Sequence, residues 1–281
     1  MQKIAQRKSD TVFGDKPIMF FGYNRFSAAM NMAIDEAMMQ RARETGNFYF
    51  RAYDFTKPTA ILALSDHPDN IDWEHKDGFE VTRRVTGGTP ICINDSLLSY
   101  SVAGPAHKDD LFFADAQRVH NSLGGIIVKS VQDIIGTDVS VELGEVFSIK
   151  VNGKRIAGHG QYISPDHSFL YHGVLAVVPR DPDFINSMLT RKQQSQEFDI
   201  LSGVKSFIYD DKSVQAYKKE LVERILSNMP KENVRDISLE RDEILKAALK
   251  LYNGKYNTEE WVMEPKPYMK RDRGDCMMYP D

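Results

Sequence analysis

The chain has 281 residues, 42% of them hydrophobic and 27% charged, with a formal net charge of −4. That suits one large globular domain or a large domain with a small appendage, and the acidic balance offers no electrostatic footprint for nucleic acid or an anionic membrane. No apolar run approaches the roughly 20 residues of a membrane span, no signal-peptide apolar region opens the chain, and Cys92 and Cys276 have no metal-ligand spacing, so a reducing cytoplasm is the expected compartment.

Residues 1–14 are polar and irregular and read as a tail. Residues 26–43 read as an amphipathic helix, with Ser27 as its cap and Met30, Ile34, Ala37 and Met38 forming a core stripe. Residues 48–53 and 59–64 read as strands on either side of a Lys-Pro turn, and 81–84 as the next strand. A helical pattern covers 111–135, interrupted near Gly124-Gly125. Three strands follow at 147–151, 154–161 and 168–178, the first two joined by Asn152-Gly153, the strongest short-range hairpin signal. Beyond Pro179 the pattern turns helical, over 184–189, 213–229 and 238–252, with polar connections. The tail 266–281 is irregular.

The stretch richest in chemistry is Arg83-Arg84-Val85-Thr86-Gly87-Gly88-Thr89-Pro90, which leads into an apolar segment of strand character. Guanidinium groups match phosphates and carboxylates bidentately. Neighbouring glycines let the backbone approach a ligand and turn its N–H groups toward an anion. The combination reads as a site for an acidic, phosphate-bearing small molecule. An ordinary hairpin turn with two solvated arginines is the alternative these residues leave open. On a strand, neighbouring side chains face opposite ways. One of the two arginines is therefore expected to face a ligand while the other ties down a loop or a carboxylate.

Arg83-Arg84-x-Thr86-Gly87-Gly88 followed by Asp95 and Tyr100-Ser101 resembles the signature of the lipoate–protein ligase and octanoyltransferase family, relatives of biotin–protein ligases. Four further segments agree in order: Asn31-Met32-Ala33-Ile34-Asp35-Glu36-Ala37, the hairpin Asn152-Gly153-Lys154-Arg155-Ile156-Ala157-Gly158-His159-Gly160-Gln161, the strand Tyr171-His172-Gly173-Val174-Leu175, and Lys255-Tyr256-Asn257-Thr258-Glu259-Glu260-Trp261. The resemblance implies an α+β fold, a mixed β-sheet flanked by helices, over 15–200. A small, mostly helical C-terminal portion over 201–265 would complete it. It also implies attachment of lipoate or octanoate to a lysine of a lipoyl-carrier domain, with ATP and Mg2+ needed if the enzyme is a ligase, and an accessory subunit as a possible partner. The residues it points to for substrate or adenylate binding are Arg83, Arg84, Thr86, Gly87, Gly88, Thr89, Asp95, Gly158, His172 and Gly173. Arg155 stands at the family's lysine position and is the first candidate for catalysis. Lys154, one residue earlier and so on the opposite face, is the second.

Several positions depart from the family's pattern. Arginine at 155 keeps a cation but cannot shuttle a proton. Thr89 replaces a glycine, Asn94 a histidine, and Phe147-Ser148 an Asn-Asp pair whose carboxylate could hold Mg2+. Ala63-Leu64-Ser65-Asp66 stands for Gly-x-x-Gln. The cysteine of the transferase branch has no counterpart between Cys92 and Cys276. Ser140 falls near its place without a neighbouring base, and Cys92 reads as inert packing. Three readings follow: an ATP-dependent ligase with an altered site, an ATP-independent acyl transferase between carriers, and a non-catalytic relative that binds a carrier or a partner subunit.

Overall fold

A computed structural model of the chain describes residues 12–106, 116–165, 167–190, 202–208, 210–237 and 240–266. Of the tails expected at 1–14 and 266–281, residues 1–11 and 267–281 lie outside the described residues, as do Cys276 and the expected first turns of the helices at 111 and 238, whereas Val12 and Phe13 are buried in the core.

The chain runs β1 (Ile18–Phe26), α1 (Ala28–Thr45), β2 (Phe48–Phe55), β3 (Thr59–Leu62), β4 (Glu80–Arg83), β5 (Ile91–Ile93), β6 (Leu97–Pro105) and α2 (Ala116–Ile135). It continues with β7 (Val141–Gly144), β8 (Ser148–Val151), β9 (Lys154–Ile163), β10 (Ser168–Ala176), α3 (Pro182–Asn186), α4 (Val214–Asn228), β11 (Val234–Asp236), α5 (Arg241–Leu251) and α6 (Glu259–Met263). Eight strands form one sheet in the order β11-β1-β2-β6-β10-β9-β8-β7, and β4-β3-β5 form a second. The large sheet is mixed: β1 runs parallel to β11 and β2, while the pairs from β2 through β7 are antiparallel. This is the expected sheet flanked by helices.

Every residue of β2, β6 and β10 is buried, because helices cover both faces of the sheet there. On one face, Tyr100, Tyr171 and Phe50 pack with Leu123 and Ile127 of α2 and Leu221 and Ile225 of α4. On the other, Tyr49, Tyr53 and Leu170 pack with Met32, Met38 and Ala42 of α1 and Ile244 of α5. The small sheet has its own core with α3, including Leu62, Cys92 and Leu189. Among the described residues past 201 the chain is mostly helical, yet β11 joins the large sheet. Among the described residues no helix is long and apolar enough to cross a membrane.

Several local features differ from the sequence expectation, the unforeseen strands β7 and β11 among them. Helix α2 runs unbroken through Gly124-Gly125, because Gly124 lets the helix sit against β7: a Cβ there would lie 2.8 Å from Leu143 Cδ2. Strand β1 escaped notice, since Gly22 at φ 113 carries a register shift that breaks the alternation. The apolar segment after Pro90 is two strands in two sheets, divided where Asn94 Oδ1 accepts from the Ser96 N–H at 3.0 Å. Ser27 caps α1 as expected, and Gly46 closes it in the left-handed conformation. Asn152 and Gly153, both at positive φ, form the tight β8–β9 turn that fixes the faces of Lys154 and Arg155, and a bulge at Ile156 resets the alternation beyond them.

Candidate active site

The segment 84–89 leaves β4 and crosses from the small sheet to the face of the large sheet where β9 and β10 meet. Arg84, buried, organises it from behind. Its Nε donates to Thr86 Oγ1 at 2.9 Å, its Nη2 to the carbonyls of Gly87 at 2.7 Å and Thr89 at 2.9 Å, and its Nη1 to the carbonyl of Ile61. The apex, Gly88 and Thr89, stays exposed, and Gly88 takes φ 103, a conformation that favours glycine. The arginine thus fixes which way the exposed backbone of the loop faces.

Thr86 ties this loop to the sheet. Its Oγ1 lies 2.7 Å from His172 Nε2. His172 Nδ1 lies 3.2 Å from Asp35 Oδ2, and an ionised carboxylate only accepts, so Nδ1 carries the proton toward Asp35. In the neutral ring Nε2 then accepts from the Thr86 hydroxyl. Asp35 is held in turn by Arg51, whose Nε and Nη2 stand 2.9 and 2.7 Å from Oδ1, and by the Ser101 hydroxyl at 2.7 Å. Burial alone would raise the carboxyl's pKa, but Arg51, His172 and Ser101 together hold it below the ordinary value. Asp35, Arg51, Ser101 and Thr86 are all buried, so the line Thr86–His172–Asp35–Arg51 is a dry polar chain crossing from loop to helix α1.

Strand β9 floors the site with two glycines. A Cβ at Gly160 would stand 3.0 Å from Thr86 Oγ1 and 3.4 Å from His172 Nε2. One at Gly158 would stand 2.6 Å from Arg155 Nη2. Residues two apart on a strand share a face, so the Arg155 guanidinium and the Thr86–His172 pair lie over the same face of β9, roughly 7 Å apart along the strand. Arg155 Nε also donates to the Ala157 carbonyl at 3.3 Å. Lys154 is exposed at the hairpin.

The structure therefore brings together Arg84, Thr86, Gly87, Gly88, Thr89, Arg155, Gly158 and His172. Four other candidates stand elsewhere. Arg83 faces away, with its side chain donating to the carbonyls of Ala63, Leu64, Asp66, Trp261 and Val262, so it fastens α6 to the small sheet. Asp95 is exposed and pairs with Arg25. Lys154 lies at the hairpin. Gly173 makes room for His159, whose Cδ2 would meet a Cβ at 2.4 Å. Cys92 is buried in β5, and burial pushes its thiol up to about 12, far from a nucleophile.

Sequence reasoning missed Asp35, Arg51 and Ser101 as parts of the site. The signal available was Asn31 and Asp35, two polar residues one turn apart beside a methionine stripe that the core was expected to absorb. It also missed a second cluster on the opposite face of the sheet. There Tyr100 hydrogen-bonds His159 Nε2, Tyr171 hydrogen-bonds His120 Nδ1 at 2.9 Å, and His159 Nδ1 lies 2.8 Å from the Phe147 carbonyl oxygen. Burial lowers His120 to about 4, and burial together with His120 lowers His159 to about 3. Among the described residues no group of three His, Cys, Asp or Glu could hold a metal ion.

With this geometry in place, comparison adds identity. Residues 27–234 match the family model described as the lipoyl protein ligase A/B catalytic domain. The chain is 26% identical to octanoyltransferase LipM of Carboxydothermus hydrogenoformans, over 86% of this chain and 97% of that one. Among solved structures it resembles a bipartite lipoate protein ligase from Thermoplasma acidophilum, described with its E2 lipoyl domain, at TM-score 0.69 and 18% identity, covering 90% of this chain and all of that one. A lipoate–protein ligase A bound with ATP gives a TM-score of 0.68 at 19% identity, covering 88% and 98%.

Proposed function

Because the chain belongs to the lipoyl protein ligase A/B catalytic-domain family, we propose that it attaches lipoate or octanoate to a lysine of a small carrier domain, through an acyl-adenylate made from ATP. The observation that carries this reading is Arg155, whose guanidinium lies over Gly158 on the face that also holds Thr86 and His172. A fixed cation there can stabilise the charge that develops on phosphorus when the acid's carboxylate attacks ATP. That attack forms the mixed anhydride and releases pyrophosphate. The carrier lysine then attacks the acyl carbon, AMP leaves, and the amine gives up its proton.

In this reading the Thr86–His172–Asp35 line is positioning machinery. It sets the 84–89 loop so that its exposed apex faces the acid group across β9. The described residues do not fit a protein-held Mg2+: no three-ligand cluster exists among them, and Phe147-Ser148 stands at the place of the family's Asn-Asp. No step is assigned to the ion. The ATP-bound ligase of the same fold supports the nucleotide as substrate. The structure neighbour's E2 lipoyl domain supports a lipoyl carrier as partner, and its bipartite character supports an accessory subunit. The compartment that suits this work is the cytoplasm.

A second reading, acyl transfer between carriers without ATP, is favoured by the octanoyltransferase relative. Against it stands the thiol of Cys92, buried and held protonated. Mass spectrometry of a lipoyl-carrier domain after incubation with the protein, lipoate, ATP and Mg2+ tests the proposal. Modification only when ATP is present supports the ligase. Modification without ATP, from an acylated carrier as donor, supports the transferase. No modification under either condition supports a non-catalytic carrier-binding protein.

A further inference from the structure

Arg180 lies just beyond β10, in the loop that enters α3. It is 8% exposed, and its only hydrogen bond among the described residues runs from Nη2 to the carbonyl oxygen of Cys92. A guanidinium has five N–H donors. Compare the other buried arginines: Arg83 donates to five carbonyls, and Arg51 meets a carboxylate, a carbonyl and an amide oxygen. Arg180 meets no carboxylate among the described residues. The β9–β10 register, which sets Leu175 opposite Ala157, brings the chain just beyond β10 alongside Arg155. The Ser202 N–H bonds the Arg155 carbonyl at 2.8 Å, and Gly203 packs against Val178, so Arg155 and the approach to Arg180 are joined through one short segment. Cys92 belongs to the small sheet that launches the glycine loop. The positive charge of Arg155 acts on Arg180 in the same direction as burial, making its protonated form less comfortable. Two neighbouring guanidinium groups, one of them buried with a single hydrogen bond among the described residues, are the chemistry of an anion site.

We propose that Arg180, together with Arg155, clamps the acid group of the substrate, either the carboxylate of the free acyl acid or the phosphoryl group that activates it. This rests on the cleft being the acid-activating site proposed above. Nη2 stays on the Cys92 carbonyl while the other donors reach the ligand from the small-sheet side, opposite the glycine loop's backbone. Arg180 is in this way the residue that reads substrate charge, and it also anchors the small sheet against the large one.

Calorimetric titration of the full chain with octanoate and, separately, with inorganic pyrophosphate tests the clamp, with octanamide as an uncharged ligand of the same chain length. Arg180→Gln leaves an amide donor for the Cys92 carbonyl and removes the charge. It should weaken octanoate, pyrophosphate or both at least tenfold, leave octanamide unchanged, and Arg180→Lys should recover part of the loss. Loss for octanoate alone identifies the carboxylate as the clamped group, and loss for pyrophosphate alone identifies the phosphoryl group. Affinities within twofold of wild type for both anions would overturn the clamp, as would equal weakening of octanamide, or a wild type that binds neither anion. Should Arg180→Gln fail to fold, Arg180→Lys with unaltered affinity for both anions overturns it. Arg180-dependent pyrophosphate binding in a protein that acylates no carrier would leave the clamp standing and end the ligase reading. Undiminished carrier acylation by Arg180→Gln would do the reverse.

Discussion

Changing Asp35 to Asn removes one charge from the buried line and leaves Arg51, which is inaccessible to solvent, without its counter-ion. Removing one partner of a buried ion pair typically costs about 3–5 kcal/mol. Arg51 keeps Asn31 Oδ1 at 3.1 Å, the Asn31 carbonyl at 2.5 Å and the face of Tyr53 at 3.8 Å, so the low end, about 3 kcal/mol, is expected. That is a large share of the roughly 5–15 kcal/mol that stabilises a domain. Urea denaturation of wild type and variant measures it. The pH dependence follows from the sign of the shift. Asp35 has its pKa lowered in the folded protein, so it contributes stability above its unfolded value near 3.8 and loses that contribution as pH falls through the lower folded value. The gap between wild type and Asp35→Asn should be full at pH 7 and at pH 5, and shrink below about pH 4. A second effect is local. The new amide can donate to His172 Nδ1, which drives the ring to the tautomer that donates to Thr86 instead of accepting from it. A penalty under about 1 kcal/mol at pH 7, or one that stays constant down to pH 3, would refute the account of Asp35 as the charged anchor of this line.

Arg155→Ala should lower adenylation by orders of magnitude while Arg155→Lys keeps or raises it, read from labelled ATP; adenylation that survives Arg155→Ala and vanishes in Lys154→Ala would show that the cation comes from the hairpin tip. Gly160→Ala places a Cβ 3.0 Å from Thr86 Oγ1, so steady-state kinetics should show a fall in kcat larger than any change in unfolding midpoint, and unaltered kcat would mean that the Thr86–His172 contact is idle. His120 binds its proton near pH 4 in the folded state and near 6.5 when unfolded, so acid favours unfolding. Stability should decline as pH drops from about 6.5 toward 4, by at most about 3 kcal/mol from this residue, and His120→Leu should flatten that decline in denaturant melts at pH 7 and 5.

Much of the site was legible because its parts are local. The Thr86-Gly87-Gly88 turn and the Asn152-Gly153 hairpin each act within a few residues, so the side of the strand on which Arg155 stands follows from the turn, whereas the bulge beyond it that brings Gly158 to the same side left no sequence signal. What escaped was carried by register between distant strands. Ser101 sits opposite both Arg51 and His172, and only that pairing sets their side chains on one face with Asp35 of α1. The same register puts Tyr100 and Tyr171 on the other face with His159. Arg83 and Arg84 are a different case. Strand alternation does separate them, as expected, but the number of carbonyls waiting around each guanidinium depends on where α6 and the 63–66 turn come to rest, and no pattern in the sequence reports that.

That outcome bears on how the cleft can recognise an acid. The arginine pair of the signature is committed to backbone carbonyls: Arg83 seals α6 onto the small sheet, and Arg84 shapes the loop. Their charge still lies near the site, but their role toward a ligand is to hold the loop's backbone in place. A cation that meets the ligand must then come from the strand floor and the rim, where Arg155 and Arg180 stand. At least one guanidinium in the pair suits such a division. A guanidinium stays charged beside a second cation, whereas two ammonium groups buried side by side would each lose the proton more readily. Replacing both Arg155 and Arg180 by lysine should therefore cost more than the two single changes added together, because each single variant keeps one group whose charge burial cannot remove. A double-mutant cycle on adenylation rate reads the coupling directly, and strict additivity would show that the two cations act on separate parts of the molecule.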